Sequence, residues 1–170
     1  PETFVRQWAI PGTEGLRHRV GGLEKENGKG NLSTDPENHA KMVYLRQEKV
    51  NRVANYIPEQ KVQGNPDGDL LVIGWGGTSG ALKLAVDEMN QEGKKVAYAH
   101  FNFISPLPKN TEEILKKYKK IVVCELNNGQ FVNYLRMNFP QYHMHQYNKI
   151  MGLPFEVGEL KEKFNEILGE

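Results

Sequence analysis

Four groups of side chains in this sequence have the types and spacing to do chemistry. The first is Gly74-Trp-Gly-Gly-Thr-Ser-Gly80, which follows the apolar run Leu70–Ile73. A glycine-rich turn opening a helix gathers free N–H groups at the positive end of the helix dipole, a ready anion site. Gly74, Gly76, Gly77, Thr78, Ser79 and Gly80 are therefore the candidate cradle. The known phosphate patterns fit poorly. The dinucleotide fingerprint needs Gly or Ala where Ser79 stands, and the next strand ends in Phe101-Asn-Phe103 with no acidic residue to hold a ribose. No lysine follows at P-loop spacing. A nucleophile elbow would centre on Ser79, but Ala81 occupies its last glycine position. The balance favours a structural turn over a ligand cradle.

The second group is His143 and His145, which straddle Met144 and share one face of a strand. Two imidazoles can chelate, but a metal site usually takes three or four protein ligands. No Cys, Asp or Glu lies near them in sequence; only the fold could bring up His39 or His100. Two ordinary histidines are the simpler expectation. The third is the lone Cys124, set in the apolar run from Ile121, without a basic neighbour or helix N-terminus to lower its pKa. The fourth is Glu125, with Asn127, Gly129 and Gln130 just beyond. That end of a parallel strand is where ligands and interfaces gather. A carboxylate there could serve acid–base chemistry, or accept hydrogen bonds from nearby N–H groups, which is the role favoured. Trp75, Tyr98, Phe101 and Phe103 are expected as core or interface aromatics. No nucleophile, base and orienting group assemble.

The elements that must position these groups alternate. Leu70–Ile73 is a short buried strand, and Leu82, Ala85, Val86 and Met89 form one helical stripe behind it. Lys95–Phe103 makes a second strand after Gly93. Asn110 should cap a short helix with Glu113 at the capping-box position, with Ile114, Leu115 and Tyr118 facing inward. Lys120–Leu126 is a third strand, followed by a helix carrying Phe131, Tyr134 and Leu135. A fourth strand falls near Tyr142–Tyr147, and a last helix carries Val157, Leu160, Phe164, Ile167 and Leu168. Strand–helix alternation predicts an α/β fold with a doubly wound, mostly parallel sheet.

Upstream, Asp35-Pro36-Glu37 opens a helix that should run to about Tyr56. Val43, Val50, Val53, Ala54 and Ile57 are its expected core stripe; Lys41, Arg46, Lys49 and Arg52 are its expected solvated face. Residues 1–34 show little periodicity and read as an extended lead-in arm, either solvated or lying on another domain. Residues 35–170 read as one α/β domain.

The chain has 170 residues, enough for one sizeable core, with 22 basic and 21 acidic side chains for a net charge of +1. That balance gives no reason to expect nucleic acid or an anionic membrane. One cysteine excludes an internal disulfide framework and suits a reducing, cytoplasmic setting. No apolar run reaches spanning length, and no signal peptide is expected. The start at Pro1 reads like a piece of a longer polypeptide.

Three segments carry a resemblance: Asp69–Gly80, His100–Pro108 and Val122–Gln130. In order and spacing they are similar to the transketolase C-terminal-like domain of the alpha subunit of 2-oxoacid:ferredoxin oxidoreductases, the 2-oxoglutarate type in particular. Gly22-Leu-Glu-Lys-Glu-Asn-Gly28, Asp35-Pro-Glu-Asn-His39, Arg46 and Lys49 resemble the stretch preceding that domain, and Asn148–Pro154 its end. Many relatives carry His where this chain has Lys25. The resemblance implies an enzyme that oxidatively decarboxylates a 2-oxoacid to an acyl-CoA, with thiamine diphosphate, Mg2+, an iron–sulfur cluster and coenzyme A, passing electrons to ferredoxin. It implies a beta subunit and further alpha-subunit domains as partners. No thiamine or cluster ligand carries onto this sequence, so the domain is expected as scaffold and inactive alone. Glu24, Glu125, Asn127, Gly129 and Gln130 are its interface or structural candidates, and bared docking surfaces would favour self-association. Two alternatives stay open: a nucleotide- or anion-binding module built on Gly74–Gly80, and the C-terminal domain of another thiamine-dependent enzyme.

Overall fold

A computed structural model describes residues 4–5, 7–19 and 21–169. They form two compact units, Pro1–Tyr56 and Ile57–Glu170.

The second unit is the predicted α/β body. Its strands are β1 (Gln63–Gly64), β2 (Leu70–Trp75), β3 (Val96–Phe101), β4 (Lys120–Glu125) and β5 (His145–Asn148), in the order β1-β3-β2-β4-β5. The pairs β2–β3, β2–β4 and β4–β5 are parallel; only β1 runs antiparallel, against β3. Its helices are α2 (Ser79–Gln91), α3 (Thr111–Leu115), α4 (Gln130–Asn138) and α5 (Val157–Gly169). Because strand side chains alternate, Leu70 and Val72 pack with α2 and α5, whereas Leu71 and Ile73 pack with α3 and α4. All four are fully buried, which is why this run reads as continuous rather than alternating. Each contributes roughly 1.5–3 kcal/mol by leaving water.

Strand order reverses at β2. The chain moves from β2 to β3 on one side, then returns to place β4 on the other. The C-terminal ends of β2 and β4 thus frame a topological switch point, the usual ligand crevice of such sheets.

The sequence did not anticipate β1, two residues too short to leave a periodic signal. A second difference concerns Asn110. No side chain caps α3, because the Asn110 amide is engaged elsewhere. Its Oδ1 accepts from Gln60 N at 2.9 Å and its Nδ2 donates to Gln60 O at 3.0 Å. Glu113 pairs with Lys116 instead.

The first unit contains α1 (Pro36–Val53). Asp35 caps it as expected, accepting from Asn38 N at 2.6 Å, with Pro36 in the first turn. Helix α1 groups with the lead-in, so the division falls at 56/57, against the 34/35 boundary expected from sequence. It stops at Val53, short of Tyr56. The expected core stripe is not buried: Val43, Val50 and Val53 are 44%, 40% and 43% exposed, and Met42 alone is buried within the helix. The amphipathic period is present, but no second apolar layer of the unit covers it. Two residues assigned to the solvated face have partners. Arg46 reaches Glu24; Arg52 binds Glu48 at 2.9 Å and stands 4.0 Å over the Phe4 ring.

Candidate functional site

The switch point is occupied by the protein's own side chains. Glu125 ends β4 with no exposed surface. Its Oε2 accepts from Phe131 N at 2.8 Å and from Trp75 Nε1 at 3.1 Å; its Oε1 accepts from Val132 N at 2.9 Å. Asn127 Oδ1 accepts from Gly129 N at 2.8 Å and Gln130 N at 3.0 Å. A helix leaves its first amides without intrahelical partners. Here Glu125 and Asn127 together satisfy those of Gln130, Phe131 and Val132, with Gly129 besides. The carboxylate sits at the positive end of the α4 dipole, where its charge is favoured.

This arrangement needs a left-handed residue at 129, and Gly129 has φ +82°. A Cβ there would also lie 3.2 Å from both Asn148 Nδ2 and Val132 Cγ1. Aromatic packing completes the brace: Phe131 stands edge-on to Trp75 and Phe101, at centroid distances of 6.4 and 5.3 Å. Asn148 Oδ1 is buried and lacks a hydrogen-bond partner among the described residues. The indole bond across from β2 is what sequence reasoning missed, since Trp75 and Glu125 are 50 positions apart.

The Gly74–Gly80 loop joins β2 to α2 through a 3-10 turn over Gly76–Thr78. Gly74 is required by close approach: a Cβ there would meet Leu82 Cδ1 at 2.3 Å and Thr78 Oγ1 at 2.7 Å. Gly76 has φ +59°. Gly77 and Gly80 face open space, and their backbone angles require no glycine. Thr78 Oγ1 donates to Trp75 O at 2.9 Å, closing the turn internally. No side chain caps the start of α2.

Behind the loop, Tyr98 Oη lies 2.7 Å from His100 Nδ1. Burial pushes the Tyr98 hydroxyl up, opposed by a hydrogen bond from Ser79, and burial pushes His100 down. Tyr98 and His100 thus form a short polar pair with Ser79 beside it. Cavities lie elsewhere among the described residues. One of about 560 Å³ is lined by Gly64, Asn65, Asp87, Asn90, Gln91 and Lys94. Another, about 390 Å³, adjoins Asp69 and Lys120 at the opposite ends of the strands.

The remaining candidates are dispersed. The rings of His143 and His145 lie 4.9 Å apart, edge to face, and among the described residues no three His, Cys, Asp or Glu are grouped to hold a metal. Cys124 is fully buried; burial first, then the Glu125 charge, push its thiol far up, so thiolate is suppressed. In the first unit, Glu24 Oε2 lies 2.9 Å from His39 Nδ1 and 3.2 Å from Arg46 Nη2. Burial raises the Glu24 carboxyl, but hydrogen bonds and charge from His39 and Arg46 outweigh it and hold the group below its ordinary range. Lys25 leaves Glu24 without a neighbouring imidazole in sequence, and His39 of α1 supplies one in space.

The described residues define a doubly wound, mostly parallel α/β body with a carboxylate capping α4 at its switch point. Residues 68–160 match the pyruvate:ferredoxin oxidoreductase core domain II family. The chain belongs to that family. It is 42% identical over 161 residues to the 2-oxoglutarate oxidoreductase subunit KorA of Mycobacterium tuberculosis, covering 94% of this chain and 24% of that protein. It is 30% identical over 144 residues to the 2-oxoacid:ferredoxin oxidoreductase subunit alpha of Saccharolobus solfataricus, covering 82% of this chain and 23% of that one. Among solved structures, the 2-oxoglutarate:ferredoxin oxidoreductase of Magnetococcus marinus, with 2-oxoglutarate, coenzyme A and succinyl-CoA bound, superposes with a TM-score of 0.87 at 27% identity. That match covers 99% of this chain and 30% of that one. The chain spans about a quarter of the length of these two curated relatives. No helix among the described residues is long and apolar enough to cross a membrane.

The residues present do not fit an iron–sulfur cluster. A cluster needs several thiolates, and the sole cysteine is sealed in β4. The α4 N-terminus already holds Glu125.

Proposed function

We propose that this chain is the C-terminal scaffold domain of the alpha subunit of a 2-oxoglutarate:ferredoxin oxidoreductase. The observation that carries the reading is the 42% identity to a KorA subunit across 94% of the chain. The whole enzyme would convert 2-oxoglutarate and coenzyme A to succinyl-CoA and carbon dioxide, passing electrons to ferredoxin. Thiamine diphosphate, Mg2+ and the iron–sulfur cluster would be held by the other alpha-subunit domains and the beta subunit, in the cytoplasm. The contribution of this domain is rigidity: a sheet with three buried central strands, whose loop ends are locked by Glu125, Asn127, Gly129 and Gln130.

The test is an assay of 2-oxoglutarate-dependent and coenzyme A-dependent dye reduction. An alpha–beta complex containing the chain should turn over, and the 170-residue chain should not. Turnover by the chain alone would overturn the scaffold role. A complex active only with another 2-oxoacid would overturn the substrate. The alternative of an anion site at Gly74–Gly80 has weaker support, since the Thr78 hydroxyl of that loop is already spent on Trp75 O.

A further inference from the structure

The dipeptide Asn-Gly occurs twice, as Asn27-Gly28 in the first unit and Asn128-Gly129 in the second. This pair is suited to spontaneous rearrangement. The backbone nitrogen after an asparagine can attack the side-chain Cγ, and glycine offers no side chain to shield that nitrogen. Ring closure requires the reacting atoms to meet in an aligned, near-contact geometry, and the nitrogen must give up its hydrogen. A fold therefore protects the pair by employing the N–H and by fixing the backbone.

Both protections act at Asn128. Gly129 is buried, and its N–H donates to Asn127 Oδ1 at 2.8 Å. Its carbonyl accepts from Asn133 N at 3.2 Å, within the first turn of α4. Closing a ring here would break the contacts that cap α4. Neither protection acts at Asn27. The surrounding loop is framed by the Lys25–Leu32 bridge and by Glu26 N donating to Asn31 O at 2.6 Å. The Asn27 N–H is spent on Asn38 Oδ1 at 3.0 Å. Among the described residues, nothing accepts from Gly28 N and nothing bonds the Asn27 side chain. No described atom lies within 4 Å of where a Gly28 Cβ would stand. Bringing Asn27 Cγ onto Gly28 N thus breaks no hydrogen bond made by either group.

We propose that Asn27 is a site of spontaneous deamidation in the folded chain, and that the α4 junction shields Asn128 from the same reaction. Gly28 N loses its proton to hydroxide and forms a bond to Asn27 Cγ. The Cγ–NH2 bond breaks, and the leaving group takes a proton from water to become ammonia. Water then opens the cyclic imide at one of its two carbonyls. The product is aspartate at position 27, or isoaspartate, in which the backbone runs through Cβ and Cγ. Either form adds negative charge to a loop that already carries Glu24 and Glu26. The isoaspartate also lengthens the chain between the Asn38 contact and Gly28.

The test incubates the 170-residue chain in mildly alkaline buffer, with and without guanidinium chloride. Peptide mass spectrometry reads each Asn-Gly pair, with an isoaspartyl methyltransferase as the probe for the rearranged product. In the native chain Asn27 should convert at least about tenfold faster than Asn128. In denaturant the two rates should converge to within about threefold, because the local structure that separates them is gone. Asn127→Ala, which removes the acceptor of the Gly129 N–H, should speed conversion at Asn128 and leave Asn27 unchanged. Comparable native rates, an Asn27 that stays intact until the chain unfolds, or a difference that persists in denaturant would each overturn the proposal, and none of these readings needs a variant. An Asn128 indifferent to Asn127→Ala overturns the shielding.

Discussion

Replacing Glu125 with Gln removes one acceptor oxygen from a site where three donors converge. The Gln oxygen can keep the Oε2 position, which serves Phe131 N and Trp75 Nε1. The amide NH2 then faces Val132 N, a donor against a donor. One orphaned buried donor costs about 1–3 kcal/mol, and bonds to a neutral rather than a charged acceptor lose about 1 kcal/mol more. Removing the buried charge returns part of this, leaving a net loss of about 1–3 kcal/mol. Against a total stability of roughly 5–15 kcal/mol the loss is large. Trp8 and Trp75 are the two tryptophans. In a Trp8→Phe background, denaturant unfolding followed by fluorescence therefore reads Trp75, a partner of the altered group. Glu125→Leu should cost more than Glu125→Gln, because all three donors are then stranded. If both variants unfold within about 0.5 kcal/mol of the parent, the carboxylate is not the structural anchor argued above.

Three further outcomes are expected. Gly74→Ala should lose about 1–3 kcal/mol, because the new methyl overlaps Leu82 and Thr78, whereas Gly77→Ala should stay within about 0.5 kcal/mol; thermal melts separate the two. The Glu24 carboxyl, observed by carbon NMR, should titrate below the ordinary range and move upward in Arg46→Gln. Since its folded pKa is depressed, the stability it lends is present above the ordinary carboxylate range and fades as pH falls through the lowered value. Cys124 should resist a disulfide reagent at pH 8 in the native chain and react on unfolding in urea; prompt native labelling would show that β4 opens.

What the sequence disclosed and what it withheld divide along the range of the forces involved. Leu70–Ile73 and the Leu82–Met89 stripe announce a buried strand and its covering helix because both signals are local and periodic. The Asp35–Pro36 opening of α1 is likewise local. Asn110 shows where local reasoning stops: its capping chemistry is real, but Gln60, 50 positions upstream, takes the amide first. The α1 stripe gave a correct period and an incorrect burial, because amphipathicity says that a face should be covered without saying by what. At the candidate site, the position of Glu125 at a strand end was visible, and its three donors were not. Two of them are helix amides a few residues ahead, which a capping rule could have suggested. The third, the Trp75 indole, depends on β2 and β4 being neighbours.

That Glu125 is covalently part of the chain changes what the switch point can be. A free anion must reach the α4 amides by diffusion and can leave again. A tethered carboxylate held in place by the fold is always at hand at its donors, so it behaves as a permanent inhibitor of its own crevice. Vacating the place would mean unmaking the junction of β2, β4 and α4. The geometry that in other sheets of this type admits a passing guest here serves as a rivet.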